Sequence, residues 1–180
     1  AGRERLFYQT GRFRLDAFTT LARACVAAKQ PHLPERLRTY VNYSPPTSGG
    51  SWTERGTDLF LAHRDGGLEM IWTEDWLGWS AGPQHLSDVL ALARAAGRPG
   101  NLPLGAYWVG EATPLLMRLK FYTLLAGGVR DICAYGYGPW YAGIDSWGRH
   151  FAIYGAIRDC QFELGAIEDA LAGTVRHRTD

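Results

Sequence analysis

The chain has 180 residues, 46% of them hydrophobic and 21% charged, with a formal net charge of +1. That length and balance suit a single globular domain over residues 1–180 with one sizeable core. The basic residues are scattered arginines apart from Lys29 and Lys120, so nothing offers an electrostatic footprint for nucleic acid or an anionic membrane.

No apolar run reaches the roughly 18 residues of a membrane span, and the amino-terminal stretch does not read as a signal peptide. Both observations favour a soluble, cytoplasmic placement over a secreted one. Cys25, Cys133 and Cys160 fall in apolar segments without metal-type spacing and read as buried free thiols. His32, His63, His85, His150 and His177 share no ligand spacing with one another or with a cysteine. No metal is therefore expected. No phosphate loop or dinucleotide fingerprint occurs either, so no cofactor is expected.

Along the chain, "RLDAFTTLARACVAAKQP" sets Leu15, Phe18, Leu21, Ala22, Cys25 and Val26 at helical spacing, with Pro31 as the stop. "RTYVNYSPP" reads as a short strand ended by a Pro-Pro turn. A Gly/Ser-rich loop leads to a helical piece around Thr57 to His63. "GGLEMIWTEDW" is a Gly-Gly break followed by an apolar strand, and "GPQHLSDVLALARAAGRPGN" is a helix closing near Gly97. "LPLGAYWVGE" is a third strand. "TPLLMRLKFYTLLAGG" is a helix with Thr113 as N-cap and Pro114 in its first turn. "VRDICAYGYGP" is a fourth strand, and a long helix from about Trp147 to Leu171 follows.

The order is a helix and then strand–helix four times. The strands are continuous apolar runs, as expected for a parallel sheet buried on both faces. Equivalent points (Val41, Ile71, Ala106, Ile132) recur about every 30 residues, and a complete (β/α)8 barrel takes roughly 250 residues. The fold class is α/β: either an open doubly wound sheet or a partial TIM barrel of about four βα units.

In both folds, functional groups collect at the carboxyl ends of the strands. Those ends carry Asn42 and Tyr43; Trp72, Glu74, Asp75 and Trp76, with Trp79 beyond; Trp108 and Glu111; and Tyr135, Tyr137, Trp140 and Tyr141. Flat rings suit the C–H faces of a sugar, while acids and amides take its hydroxyls. Glycoside hydrolysis needs two carboxyls about 5–5.5 Å or 6.5–9.5 Å apart. Glu74 or Asp75 with Glu111 could supply them from neighbouring strands. Glu74 and Asp75 are adjacent on a strand and so point to opposite faces. Only one of them can face a shared ligand.

The Trp-rich strand ending "YWVGE", the following helix, and "LLAGGVRDICAYGYGP" resemble the last two units of clan-A (β/α)8 glycoside hydrolases, the β-galactosidase-like branch above all. The resemblance covers roughly residues 37 to 171. It implies the carboxyl-terminal half of the barrel, with Glu111 as nucleophile and "YGYGP" as the rim of the last strand. In that clan the acid/base ends the fourth strand, usually after an Asn. No Asn-Glu pair occurs in this chain, so the resemblance puts that strand upstream. The expected partners are a carbohydrate substrate and either the missing half of the barrel or further copies in a homo-oligomer. A module that binds carbohydrate through the aromatic rim without turning it over is the alternative.

Overall fold

The structure is a computed structural model, which describes residues 2–29, 31–34, 37–43, 58–74, 83–110, 113–135 and 151–174. In chain order its elements are α1 (Gly2–Lys29), β1 (Asn42–Tyr43), α2 (Leu59–Arg64), β2 (Ile71–Glu74), α3 (Pro83–Gly97), β3 (Leu104–Trp108), α4 (Pro114–Ala126), β4 (Asp131–Ala134) and α5 (Phe151–Thr174).

Local chemistry sets several of these boundaries. The Asp58 carboxylate accepts from the Phe60 and Leu61 amides at 2.8 and 3.0 Å and starts α2. The Thr113 hydroxyl accepts from the Leu116 amide at 3.2 Å, with Pro114 opening α4. Gly128 takes φ +90 just past α4, a conformation few side chains tolerate. Strand β1 is shorter than "RTYVNYSPP" suggests, because Glu69 intercepts its entry. The Glu69 carboxylate accepts from both the amide and the hydroxyl of Thr39 at 2.8 Å. Lys29, at the end of α1, is buried and bonds Glu69 and the Leu37 carbonyl. This cluster ties α1 to the segments entering β1 and β2.

Helix α1 starts a dozen residues before the periodicity predicts. Its buried residues are Leu15, Thr19, Ala22, Val26 and Lys29, at helical spacing. Residues 2–14 bury nothing, so that half of the helix has no core-facing pattern to read.

All strand pairs are parallel, and the sheet order is β1-β2-β3-β4. Partners in register share a face. One face therefore holds Tyr43, Ile71, Thr73, Leu104, Ala106, Trp108, Ile132 and Ala134. The other holds Asn42, Trp72, Glu74, Gly105, Tyr107, Asp131 and Cys133. Every strand residue in the hydrophobic core comes from the first face, where it meets Ala22 of α1, Ala62 of α2, Leu90 of α3, Phe121 of α4 and Ile157 of α5. Burying each large apolar side chain there contributes roughly 1.5–3 kcal/mol.

A doubly wound sheet reverses its strand order and carries helices on both faces. The described sheet does neither, so it is singly wound. On the far side of the helix layer, Glu163 of α5 accepts from Arg118 at 2.7 and 2.9 Å and from the Tyr122 hydroxyl, clamping α4 to α5. That carboxylate pushes the Tyr122 phenol up to about 12.

Two sequence expectations need correction. The strands are not all buried on both faces: in β4, Asp131 and Cys133 are exposed. The three cysteines are free, but only Cys160 is buried, while Cys25 and Cys133 are exposed. An apolar neighbourhood in sequence does not fix which side of a strand or helix a residue occupies.

Candidate functional site

The face of the sheet that carries no helix among the described residues, called the helix-free face below, gathers an unbroken row of aromatic rings. Tyr40 stacks on Trp72 with centroids 4.7 Å apart and planes at 24°. Trp72 meets Tyr107 edge-on at 5.1 Å, and Tyr107 meets Tyr135 edge-on at 5.3 Å. The row crosses all four strands. Tyr40 precedes β1, Trp72 is on β2, Tyr107 is on β3 and Tyr135 follows β4, held by its amide bond to the Trp108 carbonyl at 3.2 Å.

Its geometry depends on a missing side chain. A Cβ built on Gly105 would lie 2.3 Å from Trp72 Cε3 and 2.7 Å from Met70 Cε. Glycine inside a strand marks such a close approach, and here it lets the indole lie against the sheet. Trp72 is 6% exposed, and its Nε1 is buried with no hydrogen-bond partner among the described residues. Tyr40, by contrast, is 42% exposed and gives the row an accessible ring.

Glu74 stands one layer above Trp72, at the carboxyl end of β2 and level with Tyr107 and Cys133. It is buried, and its Oε2 accepts from Asn42 Nδ2 at 2.7 Å. The Tyr107 phenol is held above its ordinary pKa by burial first, then by Tyr40, Cys133 and Glu74 around it. The layer thus offers a fixed acceptor at Glu74, an indole donor at Trp72, and rings on both sides of them.

The expected site residues divide into three groups. Asn42, Trp72, Glu74 and Tyr135 come together on this face. Tyr43 and Trp108 instead point to the helices. Tyr43 is 2% exposed, and Trp108 packs on Phe121 at 4.8 Å and donates from Nε1 to the Met117 carbonyl at 3.1 Å. Neither ring can meet a ligand on the opposite face. Asp75, Trp76, Trp79, Glu111, Tyr137, Trp140 and Tyr141 lie outside the described residues.

Sequence reading missed Tyr40 and Tyr107. The available signal was Gly105: it shares a face with Tyr107 and marks where a neighbouring ring lies on the sheet.

A cavity of about 570 Å³ lies between the end of β4 and α5, bordered by Ala134, Phe151, Tyr154, Ile157 and Arg158 among others. Buried His63 belongs to neither place. It sits on α2, where its Nδ1 donates to the Leu68 carbonyl at 3.3 Å and burial lowers its pKa. Among the described residues no cluster of three or more metal-ligating side chains occurs, and no helix is long and apolar enough to cross a membrane. No protein-family model, curated protein or solved structure matches the chain.

Proposed function

We propose that the chain forms the carboxyl-terminal four units of a (β/α)8 barrel of the glycoside hydrolase type and hydrolyses or binds a glycoside at the carboxyl-terminal rim of its sheet, on the side that carries the rings. The observation that carries this reading is the ring row Tyr40–Trp72–Tyr107–Tyr135 beside Glu74 at the carboxyl end of β2. Rings receive the C–H faces of a pyranose, and Glu74, positioned by Asn42, receives a hydroxyl. The singly wound order supports the barrel: right-handed crossovers keep every helix on one side, and continuing the pattern through eight strands closes the sheet. The inner face of such a barrel is where these rings would lie.

Hydrolysis needs a second carboxyl within roughly 10 Å of the first. Glu111 is assigned that part, as nucleophile, because it follows β3 by three residues. Glu74 is the closer match for acid chemistry or sugar binding, with Asp75 as the other acid at that strand end. The test is release of nitrophenol from nitrophenyl β-galactoside, comparing the native chain with Glu111→Gln. The proposal expects turnover to vanish in the variant while its circular dichroism is unchanged. Turnover persisting in Glu111→Gln would refute the nucleophile assignment. Sugar binding without turnover in the native chain would leave a carbohydrate-binding module.

A further inference from the structure

We infer that α1 pairs with α1 of a second copy of this chain, antiparallel, through the helix face turned away from the core. The pairing is independent of the carbohydrate reading. Helix α1 has 28 residues, which makes it about 42 Å long. Its buried residues run only from Leu15 to Lys29, and no residue from 2 to 14 is buried. That amino-terminal half carries Gly11 in its interior. A helical stretch of about a dozen residues with no packed face is marginal in water, the more so with an internal glycine. Something else must cover it.

The outer face of α1 has its own pattern. Leu6, Thr10, Phe13, Ala17, Thr20, Ala24 and Ala27 follow one another in steps of four and three. Such steps make the narrow seam of a two-helix coiled coil. The seam lies opposite Leu15, Ala22 and Lys29, and all of its residues are exposed. Leu6 is 68% and Phe13 71% exposed. The Thr10 hydroxyl donates to the Leu6 carbonyl at 2.8 Å, so it brings no unmet donor into a covered seam.

This seam complements itself in one orientation. About a two-fold axis beside Leu15, antiparallel copies bring Phe13 onto Ala17, Leu6 onto Ala24 and Thr10 onto Thr20. Each large side chain then meets a small one. A parallel pair would instead set Phe13 on Phe13 and each alanine on its twin, crowding one layer and leaving gaps in the next. It would also align the helix dipoles and place Arg3, Arg5 and Arg12 beside the same residues. Antiparallel pairing sends Arg3 and Arg5 to opposite ends. It sets Asp16, near the axis, within a turn of the second copy's Arg12.

No seam residue belongs to the hydrophobic core or to the ring row. Substitutions there act on pairing and leave the core of the domain as it is.

The test is sedimentation velocity of the native chain from low to high micromolar concentration, which should show a monomer–dimer equilibrium. Leu6→Glu combined with Phe13→Glu should raise the dimer dissociation constant by roughly tenfold or more, with the near-ultraviolet circular dichroism unchanged. Orientation is read from nitroxide labels on Cys25, which is exposed and off the seam, in a Cys133→Ser background. With a rise of about 1.5 Å per residue, antiparallel pairing puts the two labels about 30 Å apart. Parallel pairing puts them roughly 10 Å apart. A native chain that stays monomeric, a dimer that survives the double variant, or labels at the shorter spacing would each overturn the pairing. A monomer that sediments with anionic lipid vesicles would overturn it too and lay α1 on a lipid surface instead.

Discussion

Gly105 and Trp72 are in direct contact across the β2–β3 pair. A methyl group on Gly105 would sit 2.3 Å from one indole carbon and 2.5 Å from the next. The indole therefore lies against the sheet only because β3 has no side chain at that point. Trp72 in turn supports the Tyr40 ring above it and the Tyr107 edge beside it.

Gly105→Ala should displace Trp72 and break the row. Overpacking of this kind costs roughly 1–3 kcal/mol. The denaturant midpoint should fall, the near-ultraviolet circular dichroism should change, and any sugar affinity should drop with it. A variant as stable as the native chain, with an unchanged aromatic spectrum, would show that the indole is not held where Gly105 puts it.

Acidification should destabilise the chain through His63. Burial lowers its folded pKa, while in the unfolded chain an imidazole titrates near about 6.5. Between those two values the unfolded state holds more protons, so stability rises with pH and is lost as pH falls below about 6.5. His63→Phe keeps a ring and removes the proton site. Unfolding free energies measured between pH 5 and 7 should have a shallower slope in the variant. Equal slopes would place the acid sensitivity elsewhere.

Cys133 offers a chemical view of the same face. It is exposed and pairs in register with Tyr107, whereas Cys25 is exposed on α1 and Cys160 is buried. Maleimide should modify Cys25 and Cys133 and spare Cys160 in the folded chain. A saturating sugar should slow the reaction at Cys133 and leave Cys25 unchanged, as read by peptide mass analysis. Equal rates at Cys133 with and without sugar would move the ligand off this face.

Much of the order of elements was legible in the sequence, because Pro, Gly and capping residues punctuate it. Thr113–Pro114 opens α4 and Gly127–Gly128 closes it as written. The assignment of faces was not legible. In β2 and β3 nearly every position is buried, so hydropathy carries no alternation to reveal which residues point which way. Trp72 and Trp108 look equivalent in sequence, yet the register Ile71↔Leu104 sends them to opposite sides. Tyr107, the neighbour of Trp108 on the strand, takes the opposite face. Tyr40 lay outside the ladder and drew no notice, although it is the exposed ring of the row. Glu74 and Asn42 were both legible as rim residues, but their mutual bond depends on the β1–β2 pairing.

The indole of Trp72 reports most directly whether a ligand occupies the aromatic face. In a ¹⁵N–¹H spectrum its Nε1–H gives one resonance among those of the 7 tryptophans, assigned by its loss in Trp72→Phe. Adding a saturating pyranoside should shift that resonance downfield as the orphaned donor gains an oxygen, with smaller shifts at the Asn42 side-chain amide. A Trp72 resonance that stays fixed while the sugar binds, or shifts confined to the cavity beside α5, would contradict the account.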